Sequence, residues 1–376
     1  MSTKEKRIVF ISHESKLLGA PKVLLSIIEF IKGMGYKNLL VICPSEGPLT
    51  KALREEKVDV IIPGVFHKFY RHIEEPLRFV LLQHIRRIID NARLLCFFRA
   101  FFKREKHPII YANTSVARYT ALPAYLAKAK LIWHIHEYSE RKWIQKINAL
   151  LIKRFANIIV VHSSFLTKKL QLTPNEEKKI LLFNYLSLMS LYKGSGIKRM
   201  NQCKYDLLFS GKICMEKGFL DLLKAIVSII DARPTLKMAV TGLFIEKDRE
   251  AITSFIKSNR LEQNIQFLGF VKNLNTIIQQ SKIIVLPTYR DYFPMLLMEA
   301  LIQEKPVIAT NIGDIPTIVE DGVNGLLLTP GDIQRLANAI QIILKPDNYR
   351  RFVAGTRQMK MRLTDRNDFR ALESIL

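Results

Sequence analysis

The chain has 376 residues, 48% of them hydrophobic, and carries 58 lysines and arginines against 34 aspartates and glutamates, a formal net charge of +24. At roughly 100–200 residues per domain this length predicts two domains, each with its own core and with a cleft between them. Charge of this size draws nucleic acid, anionic lipid or polyphosphate, but no nucleic-acid recognition motif and no aromatic–basic interleaving is present, so nucleic acid is not expected as a partner.

Taken in chain order, the N-terminus reads Met1-Ser-Thr-Lys-Glu-Lys-Arg7 and then only Ile8 to Ser12 before the first polar loop, too little for a secretory signal. The longest apolar stretches, such as Ile158 to Val161, fall far short of the roughly 20 residues that span a bilayer. A cytoplasmic protein is expected. Cys43, Cys96, Cys203 and Cys214 form no Cys-x-x-Cys pair and read as reduced, packing thiols. Residues 7–12, 38–43, 58–62, 108–112, 131–136 and 157–162 are predicted strands, and between them apolar residues recur at helical spacing, as in Val23, Leu24, Ile27, Ile28 and Ile31. That is the βαβ rhythm of a parallel sheet. Residues 76–106 predict a long basic helix with Leu77, Leu81, Ile85, Ile88, Ala92 and Leu95 along one side and Phe-Phe doublets at 97–98 and 101–102. Its apolar side either packs on its own domain or docks on a membrane surface.

The pattern breaks at Ser187-Leu-Met-Ser-Leu-Tyr-Lys-Gly-Ser-Gly196. The expected organisation is an N-terminal Rossmann-like domain over 1–187, a linker over 188–204, a second Rossmann-like domain over 205–350 and a helical segment over 351–376. In the second domain strands are predicted at 206–210, 236–241, 265–268, 282–286, 306–309 and 325–328, with helices at 219–230, 246–258, 273–280, 294–303 and 333–344. Sequence leaves open where the C-terminal segment docks.

In open α/β sheets ligands bind beyond the carboxyl ends of strands, where loops enter helices and N–H groups point outward. Three junctions are equipped for this. Ser12-His-Glu-Ser-Lys-Leu-Leu-Gly-Ala20 sets Gly19 before a helix that opens with Pro21. Ser210-Gly-Lys-Ile-Cys-Met-Glu-Lys-Gly218 sets Lys212 and Lys217 around a turn, as a diphosphate site requires, or as two merely solvated lysines. Leu286-Pro-Thr-Tyr-Arg-Asp-Tyr-Phe-Pro-Met-Leu-Leu-Met-Glu-Ala300 sets Asp291 in a loop and Glu299 on the helix that Pro294 starts. A carboxylate accepts two hydrogen bonds, which suits sugar diols, and the amides of Phe293, Pro294's neighbours Met295 and Leu296 suit phosphate. By spacing alone the plainer reading, a loop acid and a helix-surface acid, weighs more. His134 and His136 share one strand face, yet no third ligand has convincing spacing, so no metal is expected. No Asp-x-Asp pair is present to clamp a metal diphosphate.

Taken together, Gly211-Lys212 with Lys217-Gly218, Asp291-Tyr-Phe-Pro-Met-Leu-Leu-Met-Glu299-Ala300, Lys305-Pro-Val-Ile-Ala-Thr310, Gly313 and Val319-Glu-Asp-Gly-Val-Asn-Gly325 resemble the C-terminal domain of GT-B retaining glycosyltransferases of family 4. More loosely, Gly19-Ala20, Trp133-His-Ile-His-Glu137 and Val160-Val-His-Ser-Ser164 resemble the family's N-terminal half. The resemblance implies a GT-B architecture, two doubly wound Rossmann-like domains facing a central cleft. It implies that Glu299 binds the nucleotide ribose, Asp291 the donor sugar, and Lys212 and Lys217 the diphosphate, with His136 near the reacting carbon and Gly19 bringing amides to phosphate or acceptor. His136, Lys217 and Asp291 are thus the expected catalytic residues. The implied donor is a UDP- or GDP-sugar with no other cofactor and no metal, and the implied acceptor is lipid-linked or saccharide, in bacterial envelope polysaccharide synthesis. The implied class is a hexosyltransferase working with retention. Two positions depart from the pattern: the family's Glu-x7-Glu begins here with Asp291, followed by Tyr292 in place of Gly, and Lys212 stands where Arg is common. A catalytically inactive accessory subunit of the same fold is the alternative. The net charge suits a peripheral site on an anionic inner leaflet.

Overall fold

In the computed structural model residues 6–17, 19–64, 77–105, 108–114, 119–136, 142–162, 164–170, 172–177, 179–183, 203–271, 273–291, 294–364 and 368–376 are described. The chain forms two compact units, one of Met1–Leu188 with Asn367–Leu376 and one of Met189–Arg366.

The first unit is built on strands β1 (Ile8–Ile11), β2 (Leu39–Ile42), β3 (Asp59–Ile61), β4 (Ile109–Ala112), β5 (Lys130–Ile135), β6 (Ile158–Val161) and β7 (Ile180–Leu182). They lie in the order β3-β2-β1-β4-β5-β6-β7, with every neighbouring pair parallel. β1, β2 and β4 are buried at every position, as a sheet covered on both faces demands. β7, at the edge of the sheet, is not among the strands expected from the sequence. Helices α1 (Ala20–Gly33), α2 (Pro48–Glu55), α3 (Leu77–Arg104), α4 (Ala121–Leu126), α5 (Lys142–Phe155), α6 (Ser164–Leu170) and α7 (Pro174–Glu177) connect the strands. α1 buries Val23, Leu24, Ile27, Ile28 and Ile31, the stripe its spacing predicts.

α3 differs from expectation in phase. The side chains of residues 77–88 lie outside the described residues, but Ala92 is exposed and Leu95 only half-buried. The buried side is Leu94, Phe98 and Phe102, packed into the core of the first unit with Trp133 and Ile152. Phe98 and Phe102 stack at 5.5 Å, and Phe97 and Phe101 stack beside them at 5.9 Å. One phenyl of each doublet carries more apolar area than the alanine and leucine of the expected stripe, so the doublets set the rotation of the helix.

The second unit holds β8 (Tyr205–Ser210), β9 (Met238–Thr241), β10 (Ile265–Gly269), β11 (Ser281–Leu286), β12 (Val307–Thr310) and β13 (Gly325–Leu328), in the order β10-β9-β8-β11-β12-β13, again all parallel. Its helices are α8 (Phe219–Ile230), α9 (Glu246–Ser258), α10 (Leu274–Gln279), α11 (Met295–Ile302), α12 (Ile315–Ile318), α13 (Ile333–Ile343) and α14 (Pro346–Thr364). Leu207, Phe209, Phe219, Leu222, Val240, Ile340 and Phe352 are among the residues of its core. The last helix, α15 (Asp368–Ser374), belongs to the first unit, and Leu372, Ile375 and Leu376 are buried there. No helix of the described residues is long and apolar enough to cross a membrane.

Candidate functional site

In the second sheet the strand order reverses between β8 and β11, so the loops leaving these two strands part from each other at their carboxyl ends, the place where open sheets hold ligands. Lys212 and Lys217 follow β8; Asp291 and Glu299 follow β11. Gly218 lets the two loops touch. Its φ is +68°, and a Cβ there would stand 1.9 Å from the Pro287 carbonyl oxygen, so only glycine fits. Gly242, with φ +120°, permits a similar approach of the β9 loop, where a Cβ would stand 1.8 Å from the Gly211 oxygen. The Tyr289 N–H donates to the Glu216 carbonyl at 3.0 Å and the Thr310 hydroxyl to the Thr288 carbonyl at 2.7 Å, fastening the β11 loop to its neighbours on both sides.

Held this way, the Lys217 ammonium donates to Asp291 Oδ2 at 2.7 Å and to the Arg290 carbonyl at 2.9 Å. Both side chains are 23% exposed. Glu299 is 4% exposed on α11, so it is no helix-surface acid. Pro294 is the N-cap of α11, with extended backbone at φ −73° and ψ 116°. Met295 and Leu296 therefore carry the first helical N–H groups, which have no acceptor within the helix. Lys212 is exposed on the turn after β8. Tyr292 and Phe293 lie outside the described residues. Tyr289, within the Leu286–Ala300 run, pairs with Asp221 of α8, a contact no motif announces: the tyrosine hydroxyl donates to Asp221 Oδ2 at 2.6 Å, and this bond to a carboxylate pushes the phenol up to about 12.

In the first sheet the order reverses between β1 and β4. Gly19, the N-cap of α1, has φ +52° and ψ −123°, a conformation that favours glycine, and the space its absent Cβ would occupy is open. Asn113, just past β4, donates from Nδ2 to the Ala20 carbonyl at 2.9 Å. Its Oδ1 meets His136 Nε2 at 2.8 Å, so His136, just past β5, is anchored across the switch point. His134 and His136 point to one side with ring centroids 4.0 Å apart. The structure adds His162 from the end of β6, 5.4 Å from the His136 ring and 5.9 Å from the His134 ring. Burial lowers all three imidazoles, His134 and His136 well below the ordinary histidine range and His162 to about 4, and it lowers nearby His13 to about 4. His162 stands in the Val160-Val-His-Ser-Ser164 run of the sequence, but its meeting with His134 and His136 depends on β6 lying beside β5.

The Val319-Glu-Asp-Gly-Val-Asn-Gly325 motif proves to be turn construction. Asn324 accepts from the Glu320 N–H at 2.7 Å and donates to the Ile318 carbonyl at 2.9 Å. A Cβ on Gly325 would stand 2.3 Å from the Val307 carbonyl oxygen.

Residues 196–359 match the model of the family described as Glycosyl transferases group 1. The 2-deoxystreptamine N-acetyl-D-glucosaminyltransferase of Niallia circulans is 29% identical over 147 residues, 39% of this chain and 37% of the relative. The capsular polysaccharide biosynthesis glycosyltransferase CapM of Staphylococcus aureus is 24% identical over 172 residues, 44% of each. The match thus spans less than half the length of either relative. Over nearly the whole chain, the fold is similar to that of Anabaena HepE in complex with UDP-glucose, with a TM-score of 0.74 at 19% identity, covering 99% of this chain and 98% of that one. The chain is a two-domain protein of GT-B fold, and residues 196–359 of it match the glycosyl transferases group 1 model.

Proposed function

We propose that the protein is a retaining glycosyltransferase of the family-4 type, moving a hexosyl group from a nucleoside diphosphate sugar to a saccharide or lipid-linked acceptor. The observation that carries this reading is the Lys217–Asp291 contact of 2.7 Å at the switch point of the group 1 domain, with Glu299 buried on the helix that follows. Breaking the bond from anomeric carbon to phosphate passes through an oxocarbenium-like state and leaves charge on the diphosphate. Lys217, Lys212 and the amides of Met295 and Leu296 neutralise that charge, so no metal is assigned to the diphosphate. Glu299 takes the ribose diol, Asp291 takes hydroxyls of the donor sugar, Gly19 lends amides to phosphate or acceptor, and His136 faces the donor sugar. The departing phosphate takes the acceptor proton, since no dedicated base is assigned. The complex of HepE with UDP-glucose favours UDP over GDP as carrier, and the match to CapM favours work on a bacterial polysaccharide.

The experiment is calorimetry with UDP and GDP, followed by kinetics with the donor they indicate. Glu299→Ala is expected to weaken nucleotide affinity by about 1.5–3 kcal/mol, the scale of a hydrogen bond to a charged group. Lys217→Ala is expected to lower turnover about 10²–10³-fold, as loss of one charge-stabilising donor does. A wild-type chain that binds neither nucleotide in the micromolar range is the inactive accessory subunit instead, and unchanged kinetics in both variants would remove these residues from the site.

The acceptor side of the reading is a peripheral site on an anionic membrane. On α4 and α5, Leu122, Tyr125, Leu126, Ile147 and Leu150 are exposed, Leu150 to 67%. Exposed Lys128, Lys146 and Arg154 lie among them, and the Arg154 guanidinium sits 5.6 Å over the Tyr125 ring.

A further inference from the structure

Asn113 is the first residue beyond β4, beside the point where the order of the first sheet reverses, and it is wholly buried. Its backbone is fixed on both sides. The Asn113 N–H donates to the Ile11 carbonyl at 3.0 Å, and the indole N–H of buried Trp133 donates to the Thr114 carbonyl at 2.6 Å. A primary amide in such a place cannot swing out to water, so it must find its partners in the groups around it.

Those partners stand on two different elements. Nδ2 donates at 2.9 Å to the carbonyl of Ala20, the first residue of α1 and the neighbour of Gly19. Oδ1 lies 2.8 Å from His136 Nε2. Turning the amide over would set its oxygen against the Ala20 oxygen, two acceptors face to face, so the bonds themselves fix which end is which. Oδ1 only accepts, and His136 Nε2 therefore carries a proton. Burial first, and then the charges of His134, His162 and His13, hold this imidazole well below the ordinary histidine range. The ring is thus neutral at neutral pH, with its N–H on Nε2. Its backbone is held as well: the His136 carbonyl accepts from His162 Nε2 at 3.3 Å.

We infer that Asn113 is a positioning residue, which sets the plane and the tautomer of His136 and ties that ring to the first turn of α1. The imidazole and the Gly19 turn then form one preset unit. This rests on the reading of His136 as the group that faces the donor sugar. An asparagine that only closed the turn of α1 would need Nδ2 alone; here the carbonyl end is committed to the residue that the reading gives to the donor. In a histidine the bond made by one ring nitrogen decides the state of the other, and a shift of about 1 Å in a positioned group can cost about 10²-fold in rate.

The test uses the full-length chain with 15N-labelled histidine, calorimetry with UDP, and UDP release from UDP-glucose, UDP-galactose and UDP-N-acetylglucosamine. In the wild type the His136 signals, assigned by their loss in His136→Gln, are expected to show a neutral ring protonated on Nε2. Asn113→Ala should lower kcat about 10²-fold, leave UDP affinity unchanged and release the ring from a single tautomer. Asn113→Asp keeps the shape and the acceptor, so Nε2–H persists, but it cannot donate to Ala20 and its carboxylate favours the imidazolium. That raises the folded-state value of His136, so turnover in this variant should fall on the acid side at a higher pH than in the wild type. A loss of fold alone moves neither the tautomer nor the pH profile. A wild-type His136 that is charged or protonated on Nδ1, wild-type turnover in Asn113→Ala, or an unshifted profile in Asn113→Asp would overturn the inference. Should Asn113→Ala not fold, the wild-type spectrum and Asn113→Asp decide. A wild type that binds no UDP removes the transferase reading instead, and the tautomer of His136 still decides whether Asn113 holds the ring.

Discussion

Lys217 and Asp291 are paired before any donor arrives, and a ligand that uses both must separate them. With both side chains 23% exposed, the pair contributes about 0–1 kcal/mol. A diphosphate beside free helix amides outweighs that and can take the ammonium, leaving Asp291 to the sugar. Asp291→Asn tests the division. It keeps the length of the side chain and leaves Lys217 to the Arg290 carbonyl, so affinity for the bare nucleoside diphosphate should hold or rise slightly. Turnover of the sugar donor should fall roughly 10–100-fold, in line with about 1.5–3 kcal/mol for a hydrogen bond to a charged group. A fall in nucleotide affinity as large as that of Lys217→Ala would place Asp291 with the phosphate instead. At this scale the sequence exposed the candidates that stand in short motifs, Lys212, Lys217, Asp291 and Glu299. It hid those that depend on chain segments meeting in space. Tyr289 finds Asp221 across 68 residues, and His162 joins His134 and His136 only through the β5–β6 register.

Elements were legible where their pattern was long. α1 buries the face that its 3.6-residue spacing predicts, α8 forms over the residues expected of it, and the buried runs of β1, β2 and β4 announce a covered parallel sheet. β7 was not expected, and α3 was placed with the wrong phase because periodicity weighs an alanine and a phenylalanine alike. Packing does not. Phe98 is 1% exposed and stacked on Phe102 within the core of the first unit. Phe98→Ala should therefore destabilise that unit by about 3–5 kcal/mol. Leu95→Ala, at a half-buried position of the expected stripe, should cost well under half as much. Urea unfolding followed by circular dichroism measures both, and equal losses would restore the expected phase.

At the scale of the whole molecule the sign of the charge was plain from composition, but its partner depends on what surrounds it. The described surface of the first unit sets apolar side chains on α4 and α5 among cations. Anionic lipid fits this better than nucleic acid does: of the five exposed side chains only Tyr125 has a face on which a base could stack, and the Arg154 guanidinium lies over that ring, whereas headgroups accept both the apolar side chains and the basic rim. Each lysine or arginine near an anionic surface is worth about 1 kcal/mol, and each leucine that becomes fully buried about 1.5–3 kcal/mol. Vesicles of phosphatidylglycerol and phosphatidylcholine should thus bind the chain in sedimentation, with affinity falling as salt rises. Leu126→Ser with Leu150→Ser should weaken that binding about tenfold or more and leave thermal stability nearly unchanged, because both side chains are already in water. Lys146→Glu with Arg154→Glu should remove the preference for anionic over neutral vesicles. A chain that ignores anionic vesicles at physiological salt, or binds them equally well after the leucine substitutions, would place the acceptor in solution and leave the charge to polyphosphate alone.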